Sequence, residues 1–216
     1  MHGRKLFVWL VAGLAAGVIG TPVSAQEKGE VDLSFFGGVG VPVSDLQDLF
    51  DVGPAFGVDV DYYLGSRLAV RLEGSGEALS GVDDLPSGNQ PPDLTLVHGT
   101  LGLKYRLIAP ATSRFSVDVN AGGGITVFST ERVIIAQNNQ AAEIDISKTY
   151  PAINGGVRIG YDVSDLINVF VGGSIDLTFG DSDELDVFQV LDPSISSFDT
   201  FYSIPLVGGI SFKFPG

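Results

Sequence analysis

Along Phe201 to Phe214, FYSIPLVGGISFKF, Leu206, Gly208, Ile210, Phe212 and Phe214 share one parity, and Val207, Gly209, Ser211 and Lys213 share the other. This is the two-residue period of a β-strand with one apolar face. Seven earlier stretches alternate in the same way: Val31–Val41, Phe56–Leu64, Leu68–Ala78, Val97–Leu107, Phe115–Val127, Ile153–Tyr161 and Asn168–Phe179. The pattern predicts eight strands.

The connections between them alternate in length. Long ones follow strands one, three, five and seven: Ser44–Gly53 (with room for one helical turn), Gly81–Asp93, Ser129–Lys148 and Gly180–Thr200. Within the third, Arg132–Ile135 and Glu143–Ile146 are apolar enough to extend the flanking strands. Short turns follow strands two, four and six, at Gly65–Arg67, Ala109–Ser113 and Ser164–Leu166. In an up-and-down closed sheet, every long loop then lies at one end and every tight turn at the other. Pro151 and Pro205 are expected where strands six and eight leave the loops, because a missing donor costs little there.

The apolar parity carries no charge in any of the eight strands. The opposite parity carries both signs, on Asp59, Asp61, Arg71, Glu73, Glu77, Lys104, Arg106, Asp118, Arg158, Asp162, Asp176 and Lys213, among many Gly and small residues. Opposite charges can pair inside a narrow eight-stranded barrel, whose interior side chains just fill it. Tyr62, Tyr105, Phe115, Tyr161 and Phe214 lie on the apolar parity beside short turns, as an interfacial aromatic girdle would. The pattern therefore places the apolar face against lipid. Lipid cannot satisfy a free backbone group, so strand one must close onto strand eight. The alternative is a soluble, lipocalin-like periplasmic binder with the apolar face inward.

Composition narrows the partners. The chain holds 12 Lys+Arg against 26 Asp+Glu, a net charge of −14, which argues against nucleic acid. Cysteine is absent, so there is neither a disulfide framework nor a thiolate site. Residues 1–25 read as a cleaved secretory signal: Arg4 and Lys5, an apolar run from Leu6 to Val18, and small residues ending at Ala25. Residues 26–216 form the barrel domain, with no later stretch apolar enough for a membrane helix.

The signal, the alternating Gly37–Val43 opening followed by an acidic loop, and the closing strand LVGGISFKF together resemble the small outer-membrane β-barrel family of Gram-negative bacteria, the OmpA-transmembrane and OmpX-like group. The resemblance covers nearly the whole mature chain and rests on architecture rather than a sequence motif. It implies an outer-membrane location, contact with lipid and lipopolysaccharide, insertion by the barrel assembly machinery, and a monomer. In that group the last residue is usually aromatic. Here Pro215 and Gly216 follow Phe214.

Three stretches suggest chemistry. His98-Gly99-Thr100, with Asp118 or Asn120 on the next strand, is similar to the His and Ser of lipid A deacylase barrels, with Thr in place of Ser. Asp181–Asp186 gathers carboxylates of the kind that bind calcium, without an EF-hand's Gly and distal Glu. Arg71, Glu73, Lys104, Arg106, Asp118 and Arg158 can line a narrow channel or form a salt-bridged plug. The plain readings are preferred: an interior hydrogen-bonded histidine, a solvated acidic loop and a plug. The expectation is an all-β, eight-stranded antiparallel transmembrane barrel, non-catalytic, without cofactor or metal, acting in membrane integrity or surface contact.

Overall fold

The computed structural model describes residues 28–82, 93–108, 114–137, 140–180 and 200–216. The leader, the turn at residues 109–113 and the Asp181–Asp186 cluster lie outside the described residues. Eight antiparallel strands form one closed barrel in chain order: β1 (Val31–Val43), β2 (Gly53–Tyr63), β3 (Leu68–Leu79), β4 (Leu94–Ile108), β5 (Phe115–Gln137), β6 (Gln140–Asp162), β7 (Ile167–Phe179) and β8 (Thr200–Phe214). β1 pairs with β8 from Val31↔Phe214 to Val43↔Tyr202, so no wall strand keeps an open edge.

The register sets the tilt. The paired residues run once around the wall through Asp32, Asp61, Arg71, Gly102, Gly122, Asn154, Asp176, Ser203 and Pro42. The circuit returns to β1 ten residues above its start. Eight strands with a stagger of ten tilt by roughly 40°. The 13 residues of β1 then rise roughly 32 Å along the barrel axis, enough for the apolar band of about 25 Å that such barrels present.

The exposed wall is apolar. Phe56, Leu72, Leu101 and Val171 are each at least 60% exposed on the outward parity. Inward residues are polar and buried, including Asp59, Asp61, Arg71, Lys104, Arg106 and Asp118. A lipocalin-like binder would need the reverse. With this polarity the medium around the barrel is lipid.

Three features differ from the sequence expectation. Ser129–Lys148 is not a loop: along Arg132–Ile135 and Glu143–Ile146, the stretches apolar enough to extend the strands, β5 and β6 continue as a two-stranded ribbon to Gln137↔Gln140, past a register shift between Thr130 and Val133. β4 pairs with β5 only as far as Leu94↔Thr130, so the ribbon rises beyond the wall. Pro151 therefore lies inside β6 rather than at its start. The ladder from β6 to β7 begins one residue later, at Ala152, so the proline's missing donor removes nothing on that side. Pro205 likewise lies inside β8. It pairs with Gly40 of β1, while the β7 ladder passes from Gly173↔Leu206 to Asp176↔Ser203 without pairing Ile204 or Pro205.

The third difference is at the mouth. Ser44, at φ +62°, turns the chain from β1 into a short 3₁₀ helix, Ser44–Asp48. Leu46, Leu49 and Phe50 of this segment are fully buried. They pack on inward residues at the loop ends of the strands: Leu79, Leu94, Leu96, Phe128, Tyr150 and Phe201. Asp51 N–H donates to the Ser80 carbonyl at 2.8 Å, and Val82 N–H donates to the Leu49 carbonyl at 3.0 Å. The interior parity thus becomes apolar at the top, and the first long connection closes that end as a lid.

Candidate functional site

The lumen holds side chains in three levels. At the turn end, Arg106 Nη2 donates to Tyr63 Oη at 2.6 Å, and Tyr63 donates to Asp32 Oδ2 at 3.2 Å. Arg106 Nε donates to Asp118 Oδ1 at 2.9 Å. Lys104 donates to Asp61 at 2.7 Å and lies 3.4 Å from Asp118. Lys213 and Asn168 both donate to Asp162 Oδ1 at 2.7 Å.

Above them, Asp59 Oδ2 accepts from Arg71 and Arg158, each at 2.7 Å, while Arg71 Nε donates to Glu73 at 3.0 Å. The Arg158 guanidinium is held between two inward aromatics, 4.3 Å from the centre of Phe170 and 5.3 Å from that of Phe36. Those rings need glycine opposite them. A Cβ on Gly57 would strike Phe36, and one on Gly209 would strike Phe170. The small residues of the polar parity make room for interior rings as well as for cations.

The third level lies under the lid. His98 Nδ1 is 2.8 Å from Thr126 Oγ1, which is 3.0 Å from Thr178 Oγ1. His98 Nε2 is 3.4 Å from Glu77 Oε1, which accepts from Ser203 Oγ at 2.8 Å. Asp176 completes the group, and one ligand atom from each of Glu77, His98 and Asp176 falls within 4.8 Å of the others. A cavity of about 30 Å³, lined by Arg71, Glu73, Ser75, Glu77 and Pro205 among others, separates this group from the Asp59 cluster.

All twelve charged residues singled out by parity point into the lumen. Ten are buried, and Glu73 and Asp162 are partly exposed. Asp32 and Tyr63 belong to the same network and were missed. Both lie on the polar parity of their strands, Tyr63 on the face opposite Tyr62, but neither was among the residues singled out there. Strand parity was the available signal for both. The five girdle aromatics are all exposed at the turn end, where Phe115 and Tyr161 meet edge-to-face with ring centres 5.1 Å apart. The hydrolase pairing is not assembled. Asp118 is engaged by Arg106 and Lys104, His98 pairs in register with Thr126, and Thr100 Oγ1 lies 3.4 Å from the Asn154 amide nitrogen.

A closed barrel of eight strands, with an apolar outer belt and a polar packed lumen, is the fold of the small outer-membrane β-barrel proteins. Belt and closure set this protein in the outer membrane. Solved structures share the fold. Neisserial surface protein A aligns with a TM-score of 0.56 at 13% identity, over 90% of this chain and 100% of its own. A major outer membrane protein of Thermus thermophilus gives 0.54 at 16%, over 85% and 99%. Ail, the attachment invasion locus protein of Yersinia pestis, gives 0.51 at 11%, over 87% and 99%. No family model and no curated protein matches the chain.

Proposed function

We propose that this outer-membrane barrel is non-conducting and non-catalytic, and that it serves membrane integrity or surface contact through the connections at its lidded end. The observation that carries the reading is the obstruction of the lumen: Lys104, Arg106, Arg71 and Arg158 cross it on ion pairs, and the Leu46–Phe50 lid covers one mouth. A channel would have to break several charge-assisted bonds at once. The ribbon of β5 and β6 and the Asp181–Asp186 segment both belong to connections at the lidded end.

Its partners on this reading are outer-membrane lipid and lipopolysaccharide, with the barrel assembly machinery during insertion and a monomer as the final state. One fold neighbour, Ail, has been solved with the heparin analogue sucrose octasulfate. The acidic connections of this chain suit a cationic or cation-bridged surface better than a sulfated one. Planar-bilayer recording tests the central part of the proposal. The purified barrel is expected to give no stable single-channel steps, whereas reproducible steps from a monodisperse preparation would establish the channel reading instead.

A further inference from the structure

The group under the lid has the wrong charge balance for a plug. Inward carboxylates are Asp32, Asp59, Asp61, Glu73, Glu77, Asp118, Asp162 and Asp176, against Arg71, Lys104, Arg106, Arg158 and Lys213 as inward cations. Those cations pair with Asp59, Glu73, Asp61, Asp118, Asp32 and Asp162. Among the described residues, Glu77 and Asp176 are left facing one imidazole. Glu77 is 98% buried, and its Oε2 has no hydrogen-bond partner. His98 is 95% buried, and its Nε2 has none either. Buried polar atoms without partners are uncommon and need a reason.

We propose that Glu77, His98 and Asp176 form a binding site for a divalent transition-metal ion, with zinc as its natural test. The hydrogen bonds prepare the histidine for it. In the tautomer with Nδ1–H donating to Thr126, and the Thr126 hydroxyl donating to Thr178, the Nε2 lone pair points at Glu77 Oε1. In that tautomer two acceptors lie 3.4 Å apart, an arrangement that a cation between or beside them would settle. In tetrahedral zinc sites the metal lies about 2.0–2.2 Å from imidazole nitrogen and carboxylate oxygen, which puts neighbouring ligand atoms about 3.4 Å apart. Thr126 holds the far ring nitrogen, as the outer partner of a metal-bound histidine does, and Ser203 orients Glu77. One imidazole with two carboxylates suits zinc and its neighbours, and a single water would be the fourth ligand of such a site. The barrel's stagger brings together residues from β3, β4 and β7 that are far apart in sequence. The lid above them excludes competing solvent. The competing occupant is a proton on Nε2, which would give a His98–Glu77 hydrogen bond, and an ion pair where Nδ1 is protonated too, and leave Asp176 unmatched.

The test uses the full mature chain refolded in detergent with stoichiometric Zn²⁺ or Co²⁺, because the lid covers the site once the barrel has closed. After dialysis, mass spectrometry of the metal content is expected to give one ion per chain. Co²⁺ is expected to show the intense visible bands of four-coordination. His98→Ala and Asp176→Asn should each abolish those bands. Thr126→Val should weaken zinc binding about 10–100-fold while leaving the ion count at saturation unchanged. Boiling-dependent gel mobility shows which variants have folded, and Asp176→Asn decides the matter if His98→Ala does not fold. Absence of retained metal, or retention undiminished in the folded variants, would overturn the proposal. The first result would assign the group to a proton, the second to the acidic connections.

Discussion

Asp59 shows how the interior is held. One buried carboxylate oxygen accepts from two guanidiniums, on strands on opposite sides of the lumen. Removing it leaves the buried Arg158 without its carboxylate and Arg71 with Glu73 alone, which is far more costly than deleting the whole cluster in favour of apolar packing. Asp59→Ala should lower unfolding free energy by about 3–5 kcal/mol, read by urea titration of the folded barrel in liposomes. The outward face obeys the opposite rule. Leu101 is 60% exposed near the middle of β4, and Leu101→Arg should cost roughly 2–4 kcal/mol in the same assay. Unchanged stability in either variant would contradict the assignment of faces. Parity alone separated these residues, because a two-residue period gives every side chain one of two directions. It could not show that Glu77, His98 and Asp176 meet, since that depends on the stagger of strands that are not neighbours in sequence.

Among the elements, strands were legible and their upper ends were not. Inside the wall, lipid on one side and charge on the other make alternation clean. Above it both faces change. The inward residues Leu79, Leu94, Phe128 and Phe201 become apolar under the lid, and the alternation that marks a strand fades. The 3₁₀ helix was legible only as room for a turn, because Leu46 within it and Leu49 and Phe50 just after it are too few to show a helical period. Phe50→Ala should destabilise the barrel by about 3–5 kcal/mol, as buried Phe truncations do, without opening a conducting path, because the ion pairs below still fill the lumen. Conductance in that variant would assign the seal to the lid alone. The β5–β6 ribbon lies past the last β4 pair, Leu94↔Thr130. Replacing residues 131–145 with an Asn-Gly turn, which keeps the Thr130↔Ile146 pair, should leave a barrel that folds and still shifts on boiling. Failure to fold would make the ribbon part of the wall's stability.

The whole molecule is an inside-out globule: lipid-facing apolar side chains surround a core of ion pairs, and one end is sealed by a conventional apolar core. Alternating connection lengths revealed the up-and-down order and the end that carries the loops. The absence of charge on one parity revealed which face meets lipid only in combination with the mixed charges on the other. The chain contains no cysteine, so a single introduced thiol reports one position without background. The decisive measurement is to place one cysteine in turn at Leu72, Leu101 and Val171, and in a second set at Thr100, label it with a fluorophore, and read quenching by brominated lipid in reconstituted vesicles. The account predicts strong quenching at the three outward positions and little labelling at Thr100. Labels at Leu72, Leu101 and Val171 that are quenched by aqueous iodide and untouched by brominated lipid would mean the belt faces water, and the membrane-spanning barrel would be wrong.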